Sequence, residues 1–170
     1  RNVLDSVSRH YQIDHVNALK LMQDEKSFTY DFKKKDDYSD YQFISSWQKN
    51  YQSWKFNRLI PVKFIRYEDL IKETFVVFKE IVEFIDKITN NRKGFSREKA
   101  KNAVQSTSFQ NLKKIEIEKG FGESIIARKD KKKIPFFHLG PNNHWQKNFD
   151  EKFIGELNNI FGKNLEELNY

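Results

Sequence analysis

The sequence predicts a mostly helical α/β layered domain with a central strand near residues 62–67. Two observations carry this. Val62 to Ile65 is a short, apolar, partly β-branched run behind Pro61, the form of a strand buried on both faces of a sheet. A polar stretch, Arg66 to Asp69, follows it, and then apolar residues return at three-to-four spacing over Thr74 to Lys87. Helix, buried strand, polar turn, helix is the order of an α/β domain. At 170 residues the chain is long enough for one sizeable core, and it shows no internal repeat and no Pro/Gly-rich linker.

Taken in order, Val3 to Tyr11 reads as a helix, and Asp14 is an N-cap for a second, His15 to Asp24, with Val16, Leu19 and Met22 on one face. Ser39 or Asp40 is placed to cap a longer helix carrying Phe43, Trp47, Tyr51 and Trp54. After the strand, the helix Thr74 to Lys87 directs Phe75, Phe78, Ile81, Val82 and Ile85 inward. Ser96 caps a helix through Val104, Thr107 to Lys114 forms a short one, and Phe136-Phe137 is a brief apolar segment. Asp150 caps a terminal helix to Phe161, which Gly162 ends.

Composition narrows the chemistry. The absence of cysteine removes disulfides, thiolate metal sites and cysteine nucleophiles, and leans toward a reducing, cytoplasmic setting. No apolar stretch reaches the roughly 20 residues of a membrane helix. No His-x-x-x-His pair or acidic calcium loop is present, so no metal is expected, and no Gly-x-Ser-x-Gly elbow supports a serine hydrolase. A formal charge of +7 favours anionic partners. The Lys33–Lys35 and Lys129–Lys133 clusters are read as solvated loops, not as a nucleic-acid groove.

In open α/β sheets ligands sit beyond the carboxyl ends of the strands, where Arg66 to Asp69 would fall. Tyr67 there offers an aromatic body and a hydroxyl to a flat ligand; equally, it would pack on the next helix while Glu68 or Asp69 caps that helix.

Read with "YEDL" at Tyr67–Leu70, three other stretches fall into an ordered set: "TSF" at Thr107–Phe109 followed by "NLKKIE", "FFHLGPNNHW" at Phe136–Trp145, and Ser46-Trp47 with Trp54. Their order and intervals resemble those of cytosolic-type sulfotransferases, and "RNVLDSVSRHY" at the start resembles that family's 3′-phosphate-binding stretch entered part of the way through. The resemblance implies a P-loop-NTPase-like three-layer fold, of which residues 1–170 would be a single, N-terminally truncated domain. It implies 3′-phosphoadenosine 5′-phosphosulfate (PAPS) as donor, 3′-phosphoadenosine 5′-phosphate (PAP) as product, and a hydroxyl or amine acceptor of unknown identity. It further implies that Ser6 binds the 3′-phosphate, Tyr67 meets the adenine edge, Thr107 lies beside the adenine and Phe109 stacks on it. Each has a plainer alternative: Ser6 as a surface serine on a helix, Phe109 as core, and Ser106-Thr107 as a helix cap.

The last stretch departs from the family pattern. Where the family has an Arg-Lys pair before its glycine, this chain has His138 and Leu139 before Gly140. A histidine offers a weaker, pH-dependent charge than arginine, so either His138 or the loop Lys131–Lys133 would stand in, with the Gly140 backbone approaching the phosphate. No residue here matches the family's catalytic histidine, and the 5′-phosphosulfate loop is expected upstream of Arg1; on that expectation the chain alone would be inactive. The rival readings are a non-enzymatic basic module binding nucleic acid or another anion, and a nucleotide-kinase-type enzyme on the same fold.

Overall fold

The structure is a computed structural model and describes residues 3–29, 42–91, 94–141 and 149–170. It is a mixed helical and strand protein: among the described residues there are eight helices and two antiparallel two-stranded ladders. They group into two compact units, Arg1–Phe56 with His144–Tyr170, and Asn57–Asn143. No helix among them is long and apolar enough to cross a membrane.

In the first unit α1 spans Val3–Tyr11 and α2 spans His15–Gln23, with Asp14 as N-cap, its side chain accepting from the Asn17 N–H at 2.8 Å. α3, Trp47–Lys55, is capped by Ser46, and the terminal helix (α8 in chain order), Glu151–Glu167, by Asp150. Leu4, Ala18, Leu19 and Phe161 form the buried centre, with Trp47, Phe153, Leu157 and Leu165 around it. Burial of these side chains, at about 25 cal/mol per Å² of apolar surface, holds four helices of modest intrinsic propensity together. A polar tie adds direction. Tyr51 donates to a Glu167 carboxylate oxygen at 2.8 Å and accepts from Asn164 at 2.9 Å, while Lys55, one turn along α3, reaches the other Glu167 oxygen at 2.8 Å. Burial, reinforced by the Glu167 charge, pushes the Tyr51 hydroxyl above its usual range, and Lys55 with Tyr51 holds Glu167 below its own.

Two expectations change in this unit. Phe43 is not on the aromatic helix; it lies in β2, Gln42–Phe43, paired with β1, Phe28–Thr29, in the register Phe28 opposite Phe43. Ser46, whose hydroxyl accepts from the Lys49 N–H at 3.3 Å, is the N-cap, so α3 starts at Trp47, after Phe43. Ser39 and Asp40, expected as caps, lie outside the described residues. Gly162 does not end the last helix: Phe153, Leu157, Phe161 and Leu165 keep a helical spacing across it, and their packing outweighs the glycine's entropy.

In the second unit α4 spans Tyr67–Lys72, α5 Thr74–Ile88, α6 Arg97–Ser106 and α7 Phe109–Lys119. β3, Ile125–Ile126, pairs with β4, Lys133–Ile134. Phe95 packs edge-on to Phe75 and Phe78 of α5, and Ala100 of α6 and Val77 of α5 are buried. The predicted central strand near 62–67 is not formed. Residues 61–66 carry no ladder, Phe64 and Ile65 are exposed, and Tyr67 already opens a helix. A strand exists only through its partner's hydrogen bonds, and the two ladders of the described residues form elsewhere. Lys63 instead reaches Glu80 of α5 at 2.9 Å. The acidic pair Glu68 and Asp69 sits inside the first turn of α4, where the helix dipole favours it, but does not cap it; the N-cap is Arg66 without a side-chain cap bond. α7 begins two residues later than expected and runs five further, because Ser108 is the cap.

Gly155 and Gly162 both sit inside α8 at ordinary helical φ, and a Cβ at either would meet no atom within 4 Å. Gly155→Ala and Gly162→Ala are each expected to stabilise the first unit, by about 0.4–1 kcal/mol, seen as a raised midpoint in urea unfolding.

Candidate functional site

The sequence-predicted site residues divide between the two units. Ser6 lies in the first, exposed on α1 at its fourth position. Tyr67, Thr107, Phe109, His138 and Gly140 all lie in the second.

Phe109 and Gly140 are in direct contact. Gly140 adopts φ +71°, and a Cβ there would stand 2.8 Å from Cε1 and 3.0 Å from Cδ1 and Cζ of the Phe109 ring. Only glycine meets both demands, the left-handed backbone and the flat ring pressed against Cα. Phe109 is the first residue of α7, and its ring also meets Phe137 edge-on at 6.3 Å, with the Lys113 ammonium 5.7 Å from its centroid. Phe121 extends this cluster, with centroids 4.9 Å from Phe136 and 5.1 Å from Phe137.

The polar candidates are arranged more loosely. Thr107 is the C-cap of α6 and no N-cap: its hydroxyl donates to the Ala103 carbonyl at 2.7 Å, so toward any ligand it is an acceptor. Tyr67 opens α4, is 45% exposed, and its hydroxyl makes no hydrogen bond among the described residues. His138 is exposed in the segment between β4 and Gly140. Among Lys131–Lys133, Lys132 pairs with Asp130 at 3.5 Å, and the Lys133 ammonium lies beside Gly120 at the end of α7. His144 and Trp145 fall outside the described residues.

What sequence reasoning missed is Glu116. It is 5% exposed, and its carboxylate accepts three hydrogen bonds: Oε1 from the Ser124 hydroxyl at 2.5 Å and the Phe136 N–H at 2.6 Å, Oε2 from the Phe137 N–H at 2.9 Å. Burial raises the pKa of such a group, but the Ser124 and backbone hydrogen bonds, helped by the nearby Lys133 charge, outweigh it and hold the carboxyl below its ordinary 4.5. The segment carrying Phe136, His138 and Gly140 is thereby anchored to the helix that carries Phe109. One signal in the sequence pointed there: Phe109, Leu112 and Glu116 share a helix face, so Glu116 faces inward while Ile115 and Ile117, the apolar neighbours, are exposed.

A sequence model of the family described as Sulfotransferase domain matches residues 1–169. No curated protein and no solved structure gives a significant match.

Gly140→Ala is expected to destabilise the protein by more than about 1 kcal/mol, since it combines a strained φ with a ring collision. Part of that cost should vanish in a Phe109→Ala background, leaving the backbone term; additive losses in a double-mutant cycle would contradict the contact. Glu116 makes a pH prediction. Because its folded value lies below the ordinary 4.5, its contribution to stability is whole above that value and is lost as the pH falls through the folded one. Glu116→Gln should therefore be less stable than wild type at pH 7, with the gap narrowing below about pH 4.5, as read from urea midpoints.

Proposed function

Because the chain belongs to the sulfotransferase domain family, we propose that it serves the transfer of a sulfuryl group from PAPS to an acceptor hydroxyl or amine, leaving PAP. On this reading the fold is the P-loop-like α/β type, and Tyr67, Thr107, Phe109, His138 and Gly140 of the second unit form the seat of the adenine and the 3′-phosphate. In the reaction the sulfur–oxygen bond to the donor phosphate breaks, a bond to the acceptor oxygen or nitrogen forms, and the acceptor loses a proton. Such transfers depend chiefly on in-line positioning and on stabilising the leaving charge. We assign the residues of this chain to the first task, holding the nucleotide, and assign none of them the proton.

The observation that carries the proposal is the contact between the Phe109 ring and Gly140, two residues taken from separate motifs of the resemblance. A purine presents a flat π face, and an exposed part of an aromatic ring is a platform for it. The Gly140 backbone, bare of a side chain, lets an anionic oxygen approach main-chain N–H groups beside that platform. Lys113, near the ring, adds positive charge. Thr107, two residues before Phe109, keeps its lone pairs for the exocyclic amine of adenine because its proton is engaged with Ala103. The Tyr67 hydroxyl has both donor and acceptor capacity for a base edge.

The experiment is a calorimetric comparison of PAP with adenosine 5′-phosphate on the full chain. The expected result is a preference for PAP that persists as salt is raised. Phe109→Ala and Tyr67→Ala should each weaken PAP by roughly fivefold to tenfold, the equivalent of about 1 kcal/mol for a lost aromatic contact. Unchanged affinity in both variants would return these residues to packing. Binding that collapses with salt and ignores the 3′-phosphate would favour a basic module for nucleic-acid backbones instead.

A further inference from the structure

Glu116 carries a cost that its own helix does not explain. A carboxylate placed 5% exposed loses its water, and an outward residue at that position would serve α7 as well. The return lies in its partners. Two of the three donors are consecutive backbone N–H groups, Phe136 and Phe137, and each takes a different carboxylate oxygen, Oε1 at 2.6 Å and Oε2 at 2.9 Å. Twenty residues of chain separate Glu116 from the first of them. An amide side chain of the same shape cannot do this, since it offers one acceptor oxygen and turns an NH2 toward the second N–H. The bond pair fixes the orientation of two successive peptide planes at the head of the segment that continues through His138 to Gly140. Ser124, from the turn before β3, closes the third bond, and Lys133 of β4 supplies the counter-charge.

We propose that Glu116 is the positioning residue of the 3′-phosphate subsite: by holding the Phe136 and Phe137 N–H groups it sets where the His138–Gly140 backbone stands beside the Phe109 ring, and so whether a nucleotide with a 3′-phosphate is preferred. The proposal rests on the donor reading above. It assigns the selectivity to a carboxylate that itself touches no phosphate. The anion is met by the segment's main chain and by His138, and Glu116 acts through them.

Two ligands and four proteins test it. Dissociation constants for PAP and for adenosine 5′-phosphate are measured on wild type, Glu116→Gln, Glu116→Asp and Phe109→Ala, with amide proton shifts of Phe136 and Phe137 recorded by NMR. In Glu116→Gln those two shifts should move upfield, and the PAP preference should fall by roughly tenfold, the effect of one well-placed polar contact made poorly, while adenosine 5′-phosphate still binds. Glu116→Asp keeps both acceptor oxygens on a shorter stem and should recover part of the preference. Phe109→Ala, which removes the aromatic platform, should weaken both nucleotides. A wild type that does not distinguish the two ligands overturns the donor reading itself. A wild type that distinguishes them, with a Glu116→Gln protein whose shifts move but whose ratio does not, overturns the role of Glu116 alone. Should Glu116→Gln fail to fold, Glu116→Asp decides, and a ratio equal to that of wild type counts against the proposal.

Discussion

The joining of α7 to the segment Phe136–Gly140 depends on one buried carboxylate, Glu116. The segment from Pro135 to Gly140 has no ladder and no helix to satisfy its backbone, and its own Phe136 and Phe137 pack with the rings of Phe109 and Phe121, which offer no hydrogen bonds. The partly buried Phe136 and Phe137 N–H groups find their acceptor on a distant part of the chain. Glu116 provides two oxygens at the correct spacing, and with the segment fixed the Phe109 ring can lie flat against Gly140. Remove the acceptor and the ring contact loses its frame, because apolar burial is non-directional and by itself tolerates several arrangements. The carboxylate thus chooses among packings that burial by itself would leave nearly equivalent.

The first unit solves the same problem with different parts. Its apolar centre draws four helices together, and the tie among Tyr51, Asn164, Glu167 and Lys55 then specifies the register of α3 on α8. In both units a polar group at the margin of an apolar cluster, with its hydrogen bonds fully engaged, does the specifying, and the apolar side chains do the holding. Buried polar networks are costly when incomplete, which is why each is closed by several partners at once. The two units differ in what the device serves: in one it locks two helices, in the other it shapes an irregular segment, and irregular segments on rigid supports are where proteins bind ligands.

The parts that were legible in the sequence are those whose causes are local. Asp14, Ser96 and Asp150 sit at the caps predicted for them, since an N-cap acts on the N–H three residues on. α5 emerged within a residue of its predicted bounds from apolar spacing alone. Val62 to Ile65 failed for the opposite reason: β-branched residues state a preference for extended backbone, but a ladder needs a partner, and the segment's own residues do not specify one. Phe43 was drawn into the wrong element because aromatic residues at a spacing of four fit a helix, while its cross-strand neighbour Phe28 lies fifteen positions back. Of the candidate site, Phe109 and Gly140 stood out as motif residues but their mutual contact did not, and Glu116 was not singled out: it lies beyond the helix predicted to end at Lys114, and its two backbone partners, Phe136 and Phe137, are distant in sequence.

On the proposed reading, His138 and Leu139 standing before Gly140, where the resemblance implies an Arg-Lys pair, bear on how an anion could be recognised here. Fixed positive charge attracts any phosphate, whereas main-chain N–H groups and a glycine recognise it only when their orientation is right. The lysines that were candidates to replace the pair are partly engaged elsewhere: Lys132 with Asp130, and Lys133 toward Glu116, whose carboxyl its charge helps to keep ionised. Recognition on the proposed reading therefore shifts from charge toward geometry. A site of that kind gains selectivity at the expense of long-range attraction, and its affinity depends more on how firmly the segment is held than on how many cations surround it. That dependence leads back to Glu116, because among the described contacts it is the group that grips consecutive N–H donors of the segment.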